Sequence, residues 1–210
     1  MQINEKLVEE IVKAVIENVK ASRNLDQGQK QESVENILSA GVAAKKGTNP
    51  KEVVIGVGPA FQSQIHKTIN NIELEAVLEN IRAGIEEEGL VSRVVKLFKT
   101  SDVAFIGLEA AKLSGSGIGI GLQSKGTVII HQRDLYPLSN LELFPQAPLL
   151  TLETYRNIGK NAAKYAKGEK VSPIEGRNDP MVRASYQVKA ALMHIKETEQ
   201  VNKKQTAIEW

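Results

Sequence analysis

Four glycines at alternate positions, Gly115, Gly117, Gly119 and Gly121, stand ahead of Ser124-Lys125-Gly126 and an apolar run that ends at His131. Glycine at this density suits a phosphate cradle, a metal site, or strands that something large approaches closely. The dinucleotide fingerprint needs G-x-G-x-x-G, which neither this run nor Gly56-Val57-Gly58 supplies. A P-loop needs its lysine directly after the last glycine, and Lys125 precedes Gly126. His66, His131 and His194 form no i, i+4 pair and sit in no dense carboxylate run, so no metal site is expected; His131 reads as structural. Cysteine is absent, which removes disulfides, thiolate ligands and thiol nucleophiles. No nucleophile elbow occurs. By motif, the chain carries no catalytic residue and no metal ligand.

What remains is a strand face without side chains beside a lysine turn. Two readings stay open for it: close approach of a ligand or another subunit, or tight packing of a helix on the sheet.

The elements around this stretch read as an α/β layer structure. The run Glu52 to Phe61 is β-branched and closes on Gly-Pro, as a buried strand entering a loop does. Leu74, Val77, Leu78, Ile81 and Ile85 keep helical spacing, and Leu90 to Phe98 is a second strand. Ser101 or Asp102 can cap a helix over 103–113. The glycine run and the run Thr127 to Gln132 are strands joined by the lysine turn. A proline-punctuated loop, a helix over 151–167 and a last helix over 180–198 follow.

Ahead of this lie two different segments. Over 1–23, Ile3, Leu7, Val8, Ile11, Val12, Val15 and Val19 share one side of an amphipathic helix. Residues 24–50 are rich in Gln, Lys, Ser, Asn and Gly and read as a flexible linker, so the domain proper spans 51–210. The first helix is either an extra core helix or a detachable binding helix. With 41% hydrophobic and 25% charged residues a packed core is expected, and a net charge of +2 argues against a nucleic-acid or membrane-surface partner. No apolar run approaches the roughly 18 residues that cross a bilayer.

The segments running from Ser101 to Gln132, from Pro137 to Lys167 and from His194 to Val201 closely resemble the medium (β) subunit of adenosylcobalamin-dependent diol dehydratase. The first twenty residues resemble the helix that directs the propanediol enzyme into bacterial microcompartments. The resemblance implies a three-layer α/β/α domain with a five-stranded mixed, mostly parallel sheet, one strand running antiparallel. It implies assembly with large and small subunits into a dimer of heterotrimers that turns propane-1,2-diol into propionaldehyde and water, with the chemistry in the large subunit. Adenosylcobalamin, its own base still on cobalt, would lie between the large and medium subunits. The family's cofactor contacts map onto Asp102, Lys125, Leu138, Asn140, Pro145 and Arg183, and the bare strand face would admit the corrin. A shell protein at the N-terminal helix, a reactivating chaperone and residence in a microcompartment of the cytoplasm are implied as well. The alternatives are the small subunit of the reactivating chaperone and the medium subunit of glycerol dehydratase, which shares the chemistry.

Overall fold

A computed structural model describes residues 41–210. The expected helix over 1–23 and most of the expected linker lie outside the described residues. From Val42 onward the chain forms one unit. Residues 42–50, assigned to the linker by composition, are tied to it through backbone bonds. Ala44 N–H donates to Ala207 O at 2.8 Å, Gly47 N–H to Leu113 O at 2.7 Å, and Glu209 N–H to Val42 O at 2.9 Å. Main-chain bonds of this kind leave no mark on side-chain composition.

The strands are β1 (Glu52–Val57), β2 (Val91–Lys96), β3 (Ile118–Leu122), β4 (Val128–Gln132), β5 (Glu142–Phe144) and β6 (Ile208–Glu209). The helices are α1 (Leu74–Glu87), α2 (Val103–Leu113), α3 (Leu152–Ala166), α4 (Pro180–Ser185) and α5 (Gln187–Glu199), with a 3-10 turn at Ala147–Leu149. The sheet order is β5-β4-β3-β1-β2-β6. β1 runs parallel to both β2 and β3, whereas β4 pairs with β3, β5 with β4 and β6 with β2 in antiparallel fashion. The α/β/α class stands as expected, with six strands in place of five and two reversed strands, β4 and β6, in place of one. The sixth strand is two residues long, too short for any periodicity. It exists because the chain returns along the outer edge of β2, pairing Val95 with Glu209.

Alternation along the strands divides the core. Val53, Ile55 and Val57 of β1 and Ile118, Ile120 and Leu122 of β3 pack with Leu74, Ile81 and Ile85 of α1 and with Tyr155 and Ile158 of α3. The other face meets α2, where Val54, Val95 and Ala110 cluster. The glycines of β3 belong to this second face. A Cβ on Gly119 would lie 2.2 Å from the Ala111 nitrogen, and one on Gly121 would lie 2.6 Å from the Gly107 nitrogen. The bare strand face is therefore covered by α2, itself lined there by Gly107, Ala110 and Ala111. Tight helix-on-sheet packing is what Gly119 and Gly121 provide, and no corrin can lie on them, whereas Gly115 and Gly117 precede the strand and face Asn49 and Arg133.

The expected last helix is two. Asp179 caps α4 through Met181 N–H at 2.9 Å, and Pro180 takes the first turn, where no donor is needed. The Ser185 hydroxyl then donates to Met181 O at 2.8 Å, a local bond that bends helices, and the helix breaks at Tyr186.

Candidate functional site

In open α/β sheets, ligands bind outside the carboxyl ends of the strands, where the chain order reverses. Here that point lies between β1 and β3, since the connection through α1 leads to one side of β1 and the connection through α2 to the other. Three loops converge on it: Gly58 to Ala60 after β1, Leu97 to Asp102 after β2, and Gln123 to Thr127 after β3.

The third loop carries Lys125 and is held from several sides. Gly126 takes φ +101°, a conformation that favours glycine, and its N–H donates to Gln123 O at 2.8 Å. Ile69 N–H donates to Lys125 O at 3.0 Å, and the fully buried Tyr155 hydroxyl donates to Gly126 O at 2.8 Å. The Lys125 side chain is half-buried, and among the described residues no acceptor lies within bonding distance of its amine. Burial holds that amine below the ordinary lysine range, against the pull of the Glu197 and Asp102 carboxylates.

Lys125 faces a cleft of about 930 Å³ that Pro145, Arg177, Arg183 and Tyr186 also line. Thr127 borders the same cleft, and its hydroxyl oxygen is buried with no hydrogen-bond partner among the described residues. Three of the six expected residues, Lys125, Pro145 and Arg183, are thus gathered around one cleft. Asp102 stands outside its lining, where Oδ1 caps α2 by accepting from Ala104 N–H at 2.7 Å. Its charge still reaches Lys125. Leu138, 76% exposed, and Asn140, also exposed, lie in the loop between β4 and β5 and outside the cleft.

Behind the cleft lies a buried cluster that motif reading missed. Glu197 of α5 is only 2% exposed, and both its oxygens accept: Oε1 from Ser124 Oγ at 2.9 Å and Ala60 N–H at 3.3 Å, Oε2 from Ser124 N–H at 3.0 Å. The carboxylate lies so close to Gly58 that a Cβ there would come within 2.0 Å of Oε1. Burial raises the Glu197 carboxyl, and the bonds from Ser124 and Ala60 and the Lys96 charge oppose that rise. Lys96, 4% exposed, donates to Phe61 O at 2.7 Å and to Ser63 Oγ at 3.3 Å, and its amine lies 4.5 Å from the centre of the Trp210 ring. Burial brings this amine down to about 8.

His131 is fully buried and its ring nitrogens reach Gln132 O at 2.8 Å and Pro137 O at 3.3 Å, so it holds the chain after β4 in place. Among the described residues no group of three or more His, Cys, Asp or Glu side chains is arranged to hold a metal ion, and no helix is long and apolar enough to cross a membrane.

The sequence profile of the family described as dehydratase medium subunit matches residues 58–172. This chain belongs to that family. The match runs from the loop after β1 to just beyond α3, so it contains the lysine turn and five of the six expected residues, while Arg183 and Glu197 lie past its end. Among solved structures, the medium subunit is similar to one described as "Glycerol dehydratase reactivase", with 20% identity over 57% of this chain and 94% of that one and a TM-score of 0.47. A second, described as "Structure of diol dehydratase-reactivating factor complexed with ADP and Mg2+", has 21% identity over 62% of this chain and 99% of that one, with a TM-score of 0.43.

Proposed function

We propose that this medium subunit contributes one wall of the adenosylcobalamin site of a propanediol dehydratase, the other wall coming from the large subunit. The observation that carries the reading is the half-buried amine of Lys125, unpartnered among the described residues, at a cleft shared with Pro145 and Arg183. A desolvated ammonium without an acceptor is costly and calls for an acceptor from outside the chain. The amide-rimmed, phosphate-bearing periphery of cobalamin offers such acceptors, and the orphan hydroxyl of Thr127 fits the same chemistry. Asp102 and Asn140 offer further polar groups, and exposed Leu138 suits contact with another subunit.

When bound, the cofactor supplies radical initiation through its cobalt–carbon bond. The residues of this chain bind and orient. Lys125 donates to amide or phosphate oxygens, and Arg183 and Pro145 line the same cleft, the arginine adding a second cation. The substrate and the reacting atoms are assigned to the large subunit, and the complex is a dimer of heterotrimers housed in a microcompartment. The propanediol enzyme is favoured over the glycerol enzyme because the first twenty residues resemble the targeting helix of the former; substrate preference itself is assigned to the large subunit.

The test is adenosylcobalamin titration, followed by absorbance, of the complex reassembled from large, medium and small subunits. Losing a hydrogen bond to a charged group costs about 1.5–3 kcal/mol. Lys125→Ala should therefore weaken cofactor affinity roughly ten- to hundredfold without impairing assembly. Unchanged affinity would remove the residue, and with it the reading.

A further inference from the structure

The loops that carry Lys125 and Asp102 are held by consecutive residues at the end of one helix. Glu197 takes Ser124 through its N–H at 3.0 Å and its hydroxyl at 2.9 Å. Thr198 Oγ1 lies 2.9 Å from Ser101 Oγ. Gln123 Nε2 donates to Ser101 O, joining the two loops to each other. The same helix also reaches the far side of the lysine turn: Lys189 Nζ donates to Ile69 O at 2.7 Å, and Ile69 N–H in turn holds Lys125 O. Beyond α5, Asn202 N–H donates to Phe98 O at 2.8 Å and Trp210 N–H to Val94 O at 3.1 Å, so the strap is anchored along β2.

We propose that α5 is a strap that sets the position and charge of Lys125, with Glu197 as its positioning residue for cofactor binding. Glu197 does not face the cleft; it acts from beneath, through Ser124 and through its field on the neighbouring amine. Lys125 is faced by two carboxylates, Glu197 from α5 and Asp102 from the loop before α2. Arg183 of α4 lines the cleft it enters. Glu197 is itself balanced on its inner side by Lys96 of β2. Two further features fit a site built around this carboxylate: a Cβ at residue 58 would come within 2.0 Å of Oε1, and both carboxylate oxygens are satisfied by donors.

The inference rests on the cofactor reading above, and a double-mutant cycle separates the two. Adenosylcobalamin affinity is measured for the reassembled complex with Lys125→Ala, Glu197→Gln and both together. Groups in one network couple strongly. Glu197→Gln should weaken binding about tenfold in the wild-type background and add almost nothing to Lys125→Ala. It should also move the decline of affinity at high pH to lower pH, because the Lys125 amine loses the carboxylate that favours its charged form. Should Glu197→Gln prevent assembly, Ser124→Ala, which keeps the carboxylate and removes one of its bonds, serves in its place with a smaller, equally non-additive loss. Additive losses together with an unmoved pH profile would make α5 an ordinary structural helix and overturn the strap. A silent Lys125→Ala would instead overturn the cofactor reading on which the strap depends.

Discussion

The hydroxyl of Tyr155, at the start of α3, donates to the carbonyl oxygen of Gly126 at 2.8 Å from a fully buried position. This single bond links the helix layer on one face of the sheet to the turn that presents Lys125. Burial pushes the phenol above its ordinary range, so the bond persists throughout the physiological pH range. Tyr155→Phe keeps the ring and removes the donor, leaving a buried carbonyl without its partner. The expected cost is about 1–3 kcal/mol of stability, read from urea denaturation of the purified chain. A smaller loss of cofactor affinity should accompany it, because the turn is also held by Ile69 and Glu197.

Gly119→Val tests what the alternating glycines are for. The added side chain would collide with the backbone of Ala111 and Ala110, which cannot turn aside as a flexible side chain would. Overpacking of a tight core typically costs about 1–3 kcal/mol and occasionally more, and a clash with backbone belongs at the upper end. The variant should therefore lose thermal stability as an isolated subunit, before any partner or cofactor is added. Normal stability combined with lost cofactor binding would mean instead that the face is open to ligands.

The contrast between Gly119 and Lys125 marks how far the sequence could be read. Strand and helix positions followed from Val, Ile and Leu spacing because burial on one face imposes a period. A cap at Ser101 or Asp102 followed from their place ahead of an apolar run, and the structure selects Asp102. The glycine face remained open between two readings because an absent side chain does not say what fills the space; only the small residues on α2 decide it. Lys96 carried a faint signal, a lysine inside the run Val94-Val95-Lys96-Leu97-Phe98 where a buried strand end has little room for charge. Glu197 carried none. In a helix with Lys196 and Glu199 beside it, a buried glutamate looks like a solvated one. Its partners, Ser124 and Ala60, lie 73 and 137 residues away. The strand β6 and the anchoring of residues 42–50 rest on main-chain bonds, to which side-chain pattern is blind.

The N-terminal segment gives a prediction from pattern alone. An amphipathic helix on a polar tether docks its apolar stripe into a groove of a partner, here proposed to be a shell protein. Deleting Met1 to Lys20 should leave the dehydratase activity of the reassembled complex intact and release it from microcompartments, as read by fractionation. Solubility should rise, since an unpartnered apolar stripe promotes association. Failure of the truncated chain to assemble with the other subunits would make the helix part of the core.

Lys96 should make the fold more stable in mildly alkaline solution. Its amine falls from an ordinary value of 10.5 to about 8 in the folded chain because burial disfavours the charged form. Below pH 8 both folded and unfolded chains carry the proton, and the folded state bears the full desolvation cost. Between about pH 8 and 10.5 the unfolded chain keeps a proton that the folded chain has released, so stability rises with pH. The full shift corresponds to about 3 kcal/mol, of which roughly half should be gained by pH 9.5. Burial displaces Lys125 in the same direction. The phenols of fully buried Tyr155 and half-buried Tyr165 are displaced upward and oppose the trend only at still higher pH. Urea midpoints at pH 7.5, 8.5 and 9.5 should therefore climb in the wild-type chain and stay nearly level in Lys96→Met, which is neutral at every pH. An equal climb in the variant would show that the stabilising proton release comes from another group.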